Sequence, residues 1–189
     1  MATDLRKRYQ ITVTLNDVKP LIWRRVLIPS SVQLDALHAT LQLALGWTNS
    51  HLHQFLISGK RYGIPDPDFD DGVIEESGIR IEQLLKKEKQ SLIYEYDFGD
   101  GWEHKIELEA ILPFEASDQL PICIDGSRSC PPEDVGGPWG YMDFLTRFKD
   151  TSHPEHEETI EWVGEYFHPE SFDIDEVNGL LAEYVQPRV

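Results

Sequence analysis

Three polar residues bracket one tight turn: Asp97, Asp100 and His104, with Gly99 and Gly101 between them. Two carboxylates and an imidazole at this spacing could hold a metal ion or form a general acid–base pair. Strand alternation puts Asp97 in phase with Ile93 and Glu95 but His104 in phase with Trp102 and Ile106, so a bulge or the twist of the turn must bring them together. The structural alternative is that Asp97 or Asp100 caps turn amides while His104 pairs with a neighbouring carboxylate.

A second group, Cys123, Cys130, Glu133 and Asp134, lies in a stretch dense in proline and glycine. Gly136-Gly137-Pro138 then enters a helix, with Pro138 near its first turn, where open amides could hold an anion or a carboxylate. If this loop meets the hairpin, Trp102, Trp139 and Tyr141 would wall a cleft shared with Asp97, Asp100, His104, Glu133 and Asp134. If it does not, the loop is a rigid lid and both cysteines are small buried apolar residues. A third set is His51 and His53, at i and i+2, hence about 7 Å apart on one strand face. With Cys123, Cys130 or a carboxylate they could complete a zinc site, so a divalent metal is the cofactor to look for. The spacing of the cysteines, C-x6-C, is not that of zinc knuckles.

The elements that must position these groups follow from periodicity. Tyr9, Ile11, Val13 and Leu15 alternate with polar residues as a half-buried strand does, and Leu21 to Ile28 reads as its antiparallel partner. Leu34, Leu37, Leu41, Ala44 and Leu45 recur at helical spacing over 32–45, ending at Gly46. Leu52 to Ile57 reads as a strand with a short partner at Arg61-Tyr62, and Ile81, Leu84 and Leu85 as a short helix. The clearest hairpin is Leu92–Phe98 with Trp102–Leu112 around Gly99-Asp100-Gly101. Residues 113–138 read as irregular, and helices are expected from Trp139, around 155–167 and around 173–184. Pro65 to Gly72 is acidic but does not fit a calcium loop, because Pro67 intrudes and Ser77 stands where the terminal Glu belongs. The segregation implies an α+β fold: a mainly antiparallel sheet with one early helix over the first two-thirds, and a helical last third packed on it, in a single domain over 1–189.

Net charge is -17, with 17 Lys and Arg against 34 Asp and Glu. Such a field disfavours general nucleic-acid binding and anionic membranes, which need clustered cations. The candidate basic patches, Arg6-Lys7-Arg8 and Arg24-Arg25, read as ordinary surface charge. No apolar run approaches the roughly 20 residues of a membrane span, and no apolar segment follows the basic N-terminus as in a signal peptide, so a cytoplasmic location is expected.

Two segments carry a resemblance. The run from Tyr94 through Asp97, Gly99, Asp100, Gly101 and Trp102 to His104 resembles the signature of the plasmid ORF-three-like family. The run from Cys123 through Cys130, Pro131, Pro132, Glu133, Asp134 and Gly136-Gly137-Pro138 to Tyr141 is similar to its second signature. Pro20 to Arg25 and His51 to Phe55 also fit, and the likeness spans roughly Leu5 to Tyr184. The resemblance implies an α+β fold and carriage by plasmids and insertion elements, some members being labelled TnpR-like. It implies no established activity. A serine recombinase needs a nucleophilic serine beside several arginines and a basic DNA-binding region, and neither is present.

Two functional readings therefore stand. One is a non-catalytic binding or interaction module, using an aromatic and acidic cleft for a protein or small-molecule partner. The other is a metal-dependent hydrolase or nuclease-like enzyme using Asp97, Asp100, His104 and Glu133 or Asp134.

Overall fold

The structure, a computed structural model, describes residues 7–68, 72–115, 118–164 and 166–185. The first strand is β1 (Lys7–Leu15), in which Tyr9, Ile11, Val13 and Leu15 are buried, as the alternation requires. β1 pairs antiparallel with β2 (Trp23–Pro29) on one side and with β7 (Trp102–Pro113) on the other. Beyond β7 come β6 (Ser91–Tyr96), β3 (His53–Ile57), β4 (Lys60–Gly63) and β5 (Val73–Glu75); beyond β2 lies β8 (Ile122–Ser127). The eight-stranded sheet runs β5-β4-β3-β6-β7-β1-β2-β8, and every pairing is antiparallel except β4 with β5. The expected α+β class, with helices concentrated toward the C-terminus, is what the chain adopts.

α1 (Leu34–Leu45) buries Leu34, Leu37, Leu41, Ala44 and Leu45 in the core. It stops where Gly46 takes φ 85 and its N–H closes on the Gln42 carbonyl. α2 (Ile81–Leu84) is a single turn. The C-terminal third is α3 (Gly137–Lys149), α4 (His156–Val163) and α5 (Ile174–Tyr184). α5 is tied to β8 by Asn178, whose side chain accepts from Cys123 N–H and donates to Cys123 C=O, both at 2.8 Å.

Three expectations are corrected. Residues 113–138 are not wholly irregular, because β8 adds a strand there; prolines before it and Gly126 within it disguise a short apolar run. The helix expected over 155–167 ends at Val163, where Gly164 turns to φ 83. Arg24 is not surface charge: it is 3 % exposed, its Nε donates to Ala44 O at 2.8 Å, and its guanidinium lies 4.1 Å above the Phe172 ring. Its neighbour Arg25 grips Glu109 at 2.6 Å and Asp125 at 3.1 Å. Lys7 and Arg8 are described, Arg8 being paired with Glu115 and Asp118, while Arg6 falls outside the described residues, as do Phe69–Asp71 of the acidic loop. Among the described residues no helix is long and apolar enough to cross a membrane.

Two of the three buried histidines among the described residues, His38 and His104, are held neutral by burial. His104 is fully buried on β7 with Nδ1 3.3 Å from Tyr94 O, and His38 is 6 % exposed on α1. Burial pushes both imidazoles down to about 4. With folded values below the ordinary 6.5, the unfolded chain takes up protons first as pH falls. Their contribution is therefore complete above pH 6.5 and lost between 6.5 and about 4, amounting to about 2 kcal/mol per histidine at pH 5. Urea unfolding at pH 7 and pH 5 should show this loss, and His104→Phe should lose roughly half as much. Identical pH slopes for the two proteins would contradict it.

Candidate functional site

The hairpin turn and the segment before α3 meet. Asp100 Oδ2 accepts from the Gly136 N–H at 3.0 Å, and a Cβ on Gly137 would fall 2.3 Å from Asp100 O. Only a residue without a side chain allows that approach, and φ is +69 at Gly137. The carboxylate that sequence spacing offers to chemistry at Asp100 is thus used to fasten the helix entry to the turn.

At this junction His51, Asp97 and Asp134 offer ligand atoms that all lie within 4.8 Å of one another. His51 Nε2 is 3.1 Å from Asp134 Oδ1, 3.6 Å from Asp97 Oδ2 and 3.9 Å from Glu133 Oε2. The nitrogen is shielded from solvent yet makes no hydrogen bond: the Asp97 and Glu133 oxygens lie too far, and Asp134 Oδ1, though close, lies off its hydrogen-bonding direction. Three acidic groups around one imidazole repel one another, and a cation among them would offset that repulsion. A tetrahedral shell with bonds of ~2.0–2.1 Å places its ligand atoms about 3.3 Å apart, so the cluster is slightly looser than a closed shell.

Local backbone explains how each group is aimed. Asp97 leaves β6 with φ 55, a left-handed conformation that aspartate tolerates better than most residues, so strand phase no longer governs its side chain. Its Oδ1 accepts from Gly99 N–H at 3.0 Å, which leaves Oδ2 facing His51. Asp134 is left-handed as well, at φ 58. Glu133 is held through Oε1, which accepts from Thr48 N–H at 2.9 Å and from the Tyr96 hydroxyl at 3.1 Å. Burial pushes the Tyr96 phenol up to about 12, so it stays a donor. His51 itself sits just before β3, outside the strand that was to carry it in register with His53.

The predicted site residues divide accordingly. Asp97, Glu133 and Asp134 converge with His51, which spacing had grouped instead with His53, Cys123 and Cys130. His53 is elsewhere engaged: its ring stacks on His38 at 3.4 Å and its Nε2 is 3.0 Å from Glu76 Oε2. Cys123 and Cys130 are free, buried thiols, raised by burial; Cys123 Sγ donates to Asp125 O at 3.4 Å and Cys130 Sγ is 3.8 Å from Arg24 Nη2. His104 stays inside the core with Trp47 edge-on to it at 5.1 Å, so it neither joins the cluster nor pairs with a carboxylate. Trp102 and Tyr141 are fully buried and pack as core, not as cleft walls, whereas Trp139 is 89 % exposed. Sequence reasoning missed Tyr96 and Thr48 as the groups that aim Glu133, and nothing in their spacing marks them.

Comparison with known proteins places these residues in a wider group. The family model described as plasmid pRiA4b ORF-3-like protein matches residues 7–176. An uncharacterized protein of Sinorhizobium fredii (strain NBRC 101917 / NGR234), y4hQ, is 42% identical over 156 residues, 82% of this chain and 80% of that protein. The crystal structure of a protein of unknown function from Methanosarcina mazei Go1, MM3350, superposes with a TM-score of 0.82 at 34% identity, covering 90% of this chain and 97% of that one.

The contact at Gly137 yields a test. Gly137→Ala forces the helix entry away from the turn and should cost about 3 kcal/mol, read by urea unfolding. Gly136→Ala, whose Cβ would meet nothing closer than Gly140 Cα at 3.6 Å, carries only left-handed strain and should cost about 1 kcal/mol. Equal losses would mean that the close approach to Asp100 is not what holds the two segments together.

Proposed function

The chain belongs to the plasmid pRiA4b ORF-3-like family, and on that footing we propose that it is a metal-dependent hydrolase whose centre is formed by His51, Asp97 and Asp134. The observation that carries this reading is the shielded, unpartnered Nε2 of His51 facing three carboxylates. One nitrogen and two or three carboxylate oxygens suit Mn2+ or Zn2+. When bound, such an ion supplies Lewis acidity and lowers the pKa of coordinated water.

The chain's own groups have distinct parts in this scheme. His51, Asp97 and Asp134 hold the ion. Glu133, fixed through Oε1 by Thr48 and Tyr96, keeps Oε2 toward the cluster and is placed to accept a proton from the attacking water. Asp100 and His104, included in the sequence-derived set, have no part: one fastens the loop and the other fills the core. The binding-module reading has less support, because Trp102 and Tyr141, two of the three expected cleft walls, are buried and only Trp139 is exposed.

Calorimetric titration with Mn2+ and Zn2+ should find one ion per chain. His51→Ala or Asp134→Ala should weaken binding by about 100-fold. Without metal, Asp134→Asn should be as stable as the parent or slightly more so, because a like charge is removed. Glu133→Gln should still bind the ion yet lose hydrolysis of chromogenic esters and phosphoesters. The absence of stoichiometric binding, checked by elemental analysis, would defeat the proposal.

A further inference from the structure

The segment Thr48–Leu52 has no regular secondary structure up to His53, yet its backbone is held at nearly every step by side chains from elsewhere. Thr48 N–H donates to Glu133 Oε1 at 2.9 Å, Asn49 N–H to Gln42 Oε1 at 2.9 Å, and Ser50 N–H to the Tyr96 hydroxyl at 3.0 Å. Leu52 O accepts from Asp97 N–H at 2.9 Å. His51 is thus a ligand candidate on a loop shaped by side chains on its N-terminal side and by a single backbone bond, from Asp97 to Leu52, on the other.

One set of these bonds has a direction that can be derived. A backbone N–H can only donate, so the Gln42 oxygen must face Asn49 and the Gln42 amide nitrogen must face Tyr94, 2.9 Å from its hydroxyl. The Tyr94 hydroxyl accepts there and has His38 Nδ1 at 2.8 Å to receive its own proton. His38 is therefore the neutral Nε2–H tautomer, and that N–H donates to Asn49 Oδ1 at 2.7 Å. The ring is further fixed by stacking on His53 at 3.4 Å and 3°. Asn49, left-handed at φ 56, is gripped at both its backbone N–H and its side-chain oxygen, two residues before His51.

We infer that His38, acting through Asn49 and locked by Tyr94 and Gln42, is the positioning residue that sets His51 in the candidate metal centre. The inference rests on the metal-centre reading above. His38 lies on α1, a packed helix, and so carries rigidity from the core into a loop that lacks its own. Outer partners that orient a ligand typically change metal affinity 10–100-fold when lost. Here the partner orients the ligand's backbone rather than its ring, so the effect should fall at the low end of that range.

The test is Mn2+ and Zn2+ affinity by calorimetry on the full chain, with melting temperature measured alongside. His38→Asn keeps a polar group near the Nδ1 position but leaves Asn49 Oδ1 without a donor, and should weaken binding about 10-fold. Asn49→Ala should do the same, and the double variant should lose no more than either single one. His38→Gln, which returns an amide donor to the place of Nε2, should bind within about three-fold of the parent. Val26→Ala, a cavity at a fully buried position of β2, supplies a destabilised control that should leave affinity unmoved. The inference is overturned if His38→Asn and Asn49→Ala bind as tightly as the parent, if their losses add, or if Val26→Ala weakens binding equally. A parent protein that binds no ion sinks the metal centre and this inference together; a parent that binds, with unmoved variants, sinks this inference alone.

Discussion

The close approach between the β6–β7 turn and the start of α3 is the constraint on which the candidate site depends. It joins two backbones rather than two side chains: Asp100 O abuts Gly137, and the Asp100 carboxylate receives the Gly136 N–H. Backbone contacts tolerate little play, because no rotamer can absorb an error. Asp97 stands three residues before one side of this joint and Asp134 three residues before the other, so their separation is inherited from it. His51 is brought in by a different route, through α1 and the hydroxyls of Tyr94 and Tyr96. The cluster is therefore an intersection of three segments, two fastened to each other and the third tied to both α1 and the Glu133 loop.

The aromatic residues around the hairpin have a structural role in this arrangement. Trp47 stacks on Tyr96 at 4.8 Å, lies edge-on to His104 at 5.1 Å, and donates its indole N–H to Pro131 O at 2.9 Å. It thereby links α1's end, the sheet and the proline-rich loop beneath the carboxylates. This buried aromatic floor lowers the dielectric on the side of Asp97, while the Asp134 carboxylate on the other side is 74% exposed.

Much of the fold was legible in the sequence because local pattern decided it. Alternation in β1 and β7, helical spacing in α1 and the Asp-Gly turn are each written in residue types only a few positions apart. β8 was not legible: Ile122, Cys123 and Ile124 form too short an apolar run between Pro121 and Gly126, with no polar alternation to mark a strand. The site was half legible. His51, Asp97, Glu133 and Asp134 were all singled out by residue type, and Asp97, Glu133 and Asp134 were grouped in one cleft; His51 was set apart with His53, since spacing says nothing of contacts between distant segments. Phase arguments misled twice. Asp97 and His51 lie just outside their strands, where alternation ends, and His104 and His53 point where alternation says but into the core. Polar type alone could not distinguish a buried imidazole from a ligand.

The left-handed backbone at Asp97 and Asp134 limits which residues can stand at either position. Glycine and asparagine would keep the chain's path while deleting the charge; glutamate would keep the charge while straining the path. Aspartate satisfies both demands at once. Amide replacements at these two positions therefore separate shape from electrostatics, a distinction that truncation to alanine blurs.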